Sequence, residues 1–152
     1  MATAALVIAA VTTGLMAGLF FAFSVAVMPA LAALDDATFV RVMREINRVI
    51  QNGLFGLVFL GALVAAGAAL GWHLDRPGVR GWVLAGFVGY LATLVITFAG
   101  NIPLNNRLDR ADPADPRAAR HGFERPWRRW HTVRTLACVV AVTCLCVALS
   151  AV

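Results

Sequence analysis

The chain contains no lysine, and charged residues of every kind make up only 14% of its 152 positions. Its eight acids and thirteen arginines avoid four long stretches almost completely. Ala5 to Met28, Gly53 to Trp72, Gly81 to Gly100 and Val133 to Val152 hold no acid, and Arg134 is their only basic residue. With 61% hydrophobic residues, this scarcity excludes an ordinary soluble domain, which needs far more polar surface.

Other absences narrow the field. There are three cysteines, all in the last apolar stretch (Cys138, Cys144 and Cys146); an odd count at these spacings forms neither a disulfide framework nor a zinc ribbon, and they read as small packing residues. Met1 to Leu6 lacks a basic residue, and the apolar run after it exceeds the roughly 7 to 15 residues of a secretory core, so Ala30-Leu31-Ala32 is not read as a cleavage site. No H-E-x-x-H pair, phosphate-binding glycine loop or serine-histidine-acid set is present, and neither a metal nor another cofactor is expected.

What is present is span-length hydrophobicity. Each stretch has about 20 residues, enough at roughly 1.5 Å per residue to cross a hydrocarbon core about 30 Å thick. The expected fold is all-α, a single integral membrane domain built as a four-transmembrane-helix bundle with spans at 5–28, 53–72, 81–100 and 133–152. Arg41, Arg44 and Arg48 follow the first span and eight arginines from Arg107 to Arg134 follow the third, against Arg76 and Arg80 after the second. By the positive-inside rule the richer side is cytoplasmic, so a plasma-membrane protein with both termini outside the cytoplasm is expected. The basic excess is then a topology signal for a protein whose partner is the lipid bilayer, and no nucleic-acid partner is expected.

Between the first two spans, Phe39, Val42, Met43, Ile46, Val49 and Ile50 recur at helical spacing opposite Arg41, Arg44, Glu45, Arg48 and Gln51. This predicts an amphipathic interfacial helix over 36–51, started by Asp35 and Asp36. In the first span, Gly14, Gly18, Ala22, Ala26 and Ala30 form a small-residue stripe suited to close packing inside the bundle. Pro29 is expected to bend or end that helix, and His73 to be a solvated turn residue. Residues 101–130 read as a polar loop, mobile from Arg107 to Arg125, with the fourth helix beginning near Pro126.

Polar residues concentrate where the third span ends and the fourth begins. Tyr90, Thr93, Thr97 and Asn101 share one helical face that leads to Asn105 and Asn106. Trp127, Trp130, His131 and Arg134 fall at i, i+3, i+4 and i+7, which places a guanidinium one turn into the membrane with no intramembrane acid to pair it. Its available partners are backbone carbonyls, the asparagines, lipid phosphate, or an anionic or phenolic ligand. Asn47, beside the apolar face of the amphipathic helix, is a candidate pocket donor.

Four segments carry a family resemblance: Phe20-Phe21-Ala22-Phe23-Ser24 with Val27-Met28-Pro29-Ala30-Leu31; Met43-x-x-Ile46-Asn47-Arg48; Asn101-Ile102-Pro103-Leu104-Asn105-Asn106; and Trp127-x-x-Trp130-x-x-x-Arg134-Thr135. Across nearly its whole length the chain resembles the bacterial four-helix membrane proteins described as anthrone oxygenase-like. Two positions depart from that pattern: His131 stands where asparagine is expected and Gly53 where proline usually follows Asn52. The resemblance implies oxidation of an anthrone to an anthraquinone by molecular oxygen without metal or flavin, although most bacterial members have no assigned reaction.

On that reading the ligand is a small apolar or phenolic molecule. Phe20, Phe23, Trp127 and Trp130 floor its pocket, and Asn47, Tyr90, Thr97, Asn105 and Asn106 complete the binding set. Arg134 and Asn101, helped by Asn105, would stabilise an enolate oxygen, and His131 or Tyr90 would relay the proton. Two other classes fit the same sequence: a non-catalytic small-molecule or lipid binding protein using the same pocket, and a structural membrane partner whose arginine-rich loop docks another protein.

Overall fold

The computed structural model describes all 152 residues as five helices without strands: α1 (Ala2–Ala32), α2 (Asp36–Ile50), α3 (Gly53–Trp72), α4 (Pro77–Asp109) and α5 (Pro116–Ser150). All but α2 are long and apolar enough to cross a membrane. α1 packs on α3 and α5, and α4 packs on α3 and α5, giving a ring in which neighbouring helices run in opposite directions. Both chain ends therefore lie with the α3–α4 turn, and the arginine-rich segments lie at the other end. Leu57, Val64, Val88, Val95, Phe98, Leu136 and Val140 remain on the outside, as a bundle in lipid requires.

The interior changes character along the bundle. Near the termini it is small, built from Ala9, Ala66, Ala69, Val83 and Ala148. Midway it holds Met16, Phe20, Phe59, Tyr90 and Cys138. At the arginine-rich end it is aromatic and thioether-rich, with Met28, Phe39, Met43, Phe123 and Trp127. α4 and α5 approach closely: a Cβ at Gly86 would stand 2.8 Å from Cγ of Leu145 and 3.2 Å from the Ala141 carbonyl. On the α1 stripe, by contrast, Gly18 meets nothing within 4 Å and Gly14 touches only Val142 at 3.7 Å, so the tight seam lies elsewhere than the spacing suggested.

Two prolines shape the helices without ending them. Pro29 and Pro103 each follow a π-helical turn, Phe23–Val27 in α1 and Thr97–Asn101 in α4, by two residues. A proline has no N–H and crowds the carbonyl four residues back, here Val25 and Ala99, both inside the widened turns. The extra residue per turn relieves that crowding, so α1 and α4 continue beyond the membrane-length segments.

The segment expected to be a mobile loop is mostly helix. α4 runs on to Asp109, and α5 starts at Pro116 rather than near Pro126. Pro116 occupies a first-turn position where its missing N–H costs nothing, and the Asp115 carboxylate accepts from the Ala118 amide at 2.9 Å. Long-range arginine contacts tie these extensions down. Arg44 donates to the carbonyls of Leu108 (2.8 Å) and Ala111 (2.8 Å) at the end of α4. Arg120 donates to the carbonyls of Ala32 (3.0 Å) and Leu34 (2.8 Å) at the end of α1, pairs with Asp36 and Glu124, and lies 4.5 Å over the Phe39 ring.

α2 begins as the sequence indicates, with the Asp35 carboxylate accepting from the Thr38 amide at 3.0 Å, a bond that holds its carboxyl below the usual carboxylate range. Its apolar face rests on the protein itself, through Phe39 and Met43, against α5. Asn52 joins α2 to α3 by accepting from the Phe55 amide and donating to the Val49 carbonyl, both at 3.0 Å. His73, expected in solvent, is fully buried; its Nδ1 meets the Ala69 carbonyl at 2.7 Å because the last turn of α3 folds the ring back along the helix.

Candidate ligand pocket

The arrangement begins with α5, whose one face carries Trp127, His131 and Arg134 inward. Arg134 is 9% exposed. Its guanidinium lies 4.4 Å from the centre of the Phe20 ring and 5.4 Å from that of Trp127. No carboxylate approaches it: the ion pairs of the chain are formed by Arg48, Arg120 and Arg128. Cation–π contacts return about one or two kcal/mol each when desolvated, against several kcal/mol for burying an ion. The site therefore holds a cation in want of an anion.

The neutral partners of Arg134 fix the state of its neighbours. Nε and Nη2 donate to Nδ1 of His131 at 3.1 and 3.0 Å, and Nη1 reaches the Thr97 hydroxyl at 3.5 Å. A guanidinium can only donate, so Nδ1 of His131 must be the accepting nitrogen and the ring proton sits on Nε2. That nitrogen donates towards the Phe20 carbonyl at 3.0 Å and Ser24 Oγ at 3.1 Å. The imidazole also stacks on Trp127, with ring centres 4.7 Å apart. Both nitrogens are thus committed, and His131 orients Arg134 instead of offering a free base for proton relay.

The two π-helical turns deliver the remaining polar groups. One presents Ser24 to His131. The other carries Thr97, whose hydroxyl donates to the Thr93 carbonyl at 2.8 Å and so leaves its lone pair for Arg134, and Asn101, whose Nδ2 donates to the Trp127 carbonyl at 3.3 Å. Asn101 Oδ1 is buried without a partner. The Trp127 indole donates to Asn105 Oδ1 at 2.8 Å, locking α5 to the extension of α4.

Beside this cluster is a cavity of about 190 Å³. Arg134 is the only charged residue in its wall. Phe20, Phe23, Asn47, Thr97, Asn105, Asn106 and Trp127 line it with Arg134, as the sequence suggested, together with Leu19, Ile46, Ile50, Gln51, Phe55, Phe59 and Ile102, which it did not. Phe55 and Phe59 stack with ring centres 5.3 Å apart; their i, i+4 spacing was the available signal, hidden in a uniformly apolar span. Asn101 and His131 stand behind the wall. Two expected binding residues lie elsewhere. Tyr90 is deeper in the bundle, its hydroxyl donating to the Phe59 carbonyl at 2.8 Å, and Trp130 is 43% exposed on the outer side of α5, packed on Gly100.

A second, larger cavity of about 750 Å³ adjoins the first between α2 and the end of α4. Asn47, Gln51, Asn105 and Asn106 border both. The outer cavity is polar: Arg41, Arg44 and Arg48 are balanced there by Glu45, Asp109 and Asp112. A rim of neutral amides thus separates a small aromatic chamber holding one cation from a polar vestibule.

The fold and the chamber define a helical bundle of the multi-pass membrane class with a buried-arginine pocket at one end. Residues 47–144 match the anthrone oxygenase family, and the chain belongs to that family. The match takes in the amides, Trp127 and Arg134 of the pocket and stops short of Phe20 and Phe23 in α1. No curated protein and no solved structure matches the chain.

Proposed function

We propose that the chamber binds a flat aromatic ketone of the anthrone type and promotes its oxidation to the quinone by molecular oxygen. The observation that carries this reading is the buried Arg134 guanidinium, which lacks a carboxylate and faces a chamber walled by aromatic rings. Such a site favours a planar ligand whose charge develops on an oxygen, because a fixed donor in an apolar surrounding acts most strongly on charge that forms there.

Anthrone chemistry suits those means. Loss of one methylene proton gives a carbanion whose charge is shared with the carbonyl oxygen, within reach of a donor such as Arg134. The carbanion transfers one electron to oxygen, and recombination of the radical with superoxide forms a carbon–oxygen bond. The peroxide takes up a proton; the second methylene hydrogen then leaves as a proton while the oxygen–oxygen bond breaks, giving a carbonyl and water. One anthrone and one O2 thus become one anthraquinone and one water. The protein supplies binding, orientation and oxyanion stabilisation, and the electrons that reduce oxygen come from the substrate.

By the charge asymmetry, the pocket end faces the cytoplasm of a plasma-membrane protein with its termini on the other side. The test is the stoichiometry of purified protein with anthrone under 18O2. Catalysed formation of anthraquinone carrying one labelled oxygen, above the rate of spontaneous autoxidation, is expected. Saturable binding of anthrone without acceleration would instead assign the pocket to a non-catalytic binding protein.

A further inference from the structure

We propose that the pocket takes its ligand as an oxyanion: a phenol or enolisable ketone gives its proton to the adjoining vestibule, and the chamber itself contributes no base. The inference rests on the pocket reading above and goes beyond it by specifying the ionisation state bound and the destination of the proton.

No side chain in the chamber can accept that proton. Arg134 is a cation, and every other wall residue is apolar, an amide, a hydroxyl or an indole. The nearest imidazole, His131, has its lone pair turned to Arg134 and its N–H turned to the Phe20 carbonyl. The Thr97 hydroxyl is spent on the Thr93 carbonyl, and the Trp127 indole on Asn105. The polar vestibule, in contrast, shares walls with the chamber through Asn47, Gln51, Asn105 and Asn106. These amides neither take up nor release protons near neutral pH.

The electrostatic balance points the same way. The vestibule's arginines are matched by equal numbers of acids, Arg41, Arg44 and Arg48 against Glu45, Asp109 and Asp112, so the uncompensated charge felt in the chamber is that of Arg134. An opposite charge within about 4 to 6 Å lowers an acid's pKa by roughly 1 to 3 units. In the step itself the ligand's O–H or C–H bond breaks, both electrons remain with the ligand and delocalise onto its oxygen, and the proton passes to the solvent and carboxylates of the vestibule. The anion left behind neutralises Arg134.

The experiment uses 2-naphthol as the probe, a two-ring phenol whose naphtholate absorbs at longer wavelength than its neutral form. It is titrated with pH in the presence of the full-length protein in lipid nanodiscs, with 2-methoxynaphthalene, which cannot ionise, as the comparison. The bound naphthol should ionise about 1 to 3 pH units below the free probe, this shift should vanish in Arg134→Gln, and the methyl ether should bind at least about tenfold more weakly than naphthol at the pH where the bound probe is ionised. Binding of naphthol with an unshifted or raised midpoint, or equal affinity for the ether, would overturn the inference while leaving the pocket reading in place. Failure of both probes to bind at any pH would overturn both. The wild-type shift and the ether comparison decide the matter even if the Arg134 variant does not fold.

Discussion

Arg134 and His131, three residues apart on α5, are joined by two donations from one guanidinium to a single ring nitrogen, Nε at 3.1 Å and Nη2 at 3.0 Å. This pair determines which histidine tautomer is present and aims the arginine at the chamber. An asparagine at position 131 would bring a carbonyl oxygen that can accept in place of Nδ1. His131→Asn should therefore retain folding and ligand binding. His131→Leu, which strands the guanidinium, should lower stability by about 1 to 3 kcal/mol. Thermal unfolding in detergent and naphthol affinity, measured on both variants, check this.

Gly100 lies in the widened turn of α4 directly against Trp130: a Cβ there would fall 2.4 Å from Cδ2 of the indole. Gly100→Ala is expected to destabilise by about 1 to 3 kcal/mol, the usual cost of overpacking. Because the clash is with one side chain, adding Trp130→Ala should recover part of the loss. The double-mutant cycle reads that coupling, and additive losses would contradict the contact.

Tyr90→Phe removes the hydrogen bond to the Phe59 carbonyl and should cost about 0.5 to 1.5 kcal/mol of stability. Since Tyr90 is not in the chamber wall and its hydroxyl is spent on the Phe59 carbonyl, the affinity for naphthol is expected to stay within about twofold. A loss of binding larger than the loss of stability would place Tyr90 in the pocket after all.

Arg120→Ala should release the end of α1 and the start of α2 from α5, because one guanidinium serves the carbonyls of Ala32 and Leu34 and the carboxylates of Asp36 and Glu124. Hydrogen exchange of the amides around residues 32–40 should accelerate while the span interiors remain protected. Uniform acceleration along all five helices would show a wider role for that residue.

The four spans were legible because twenty apolar residues in a row admit few structures, and α2 because its two faces differ so sharply. The polar stripe from Tyr90 to Asn101 was legible as an inward face, as its burial shows. The helices flanking the spans were not. Residues 101–130 read as a polar loop with the fourth helix starting near Pro126, while the forces that make this stretch helical act over long sequence separations: Arg44 reaching Leu108, Arg120 reaching Ala32, and Phe123 packing on Phe39. In the pocket, polar members could be picked out against an apolar background, but Phe55 and Phe59 could not, because in a span apolar on every side periodicity carries no contrast. His73 was misplaced for a related reason: a polar residue at a span's end reads as exposed unless the fold of the turn is known.

The most direct test of the central claim is oxygen consumption with anthrone at saturation by wild-type protein and by Arg134→Gln, each corrected for spontaneous autoxidation and each shown by thermal unfolding to be folded. Removal of a single oxyanion donor of this kind is expected to lower the catalysed rate by about 100- to 1,000-fold. A folded Arg134→Gln protein that consumes oxygen as fast as the wild type would contradict the role given to the buried guanidinium.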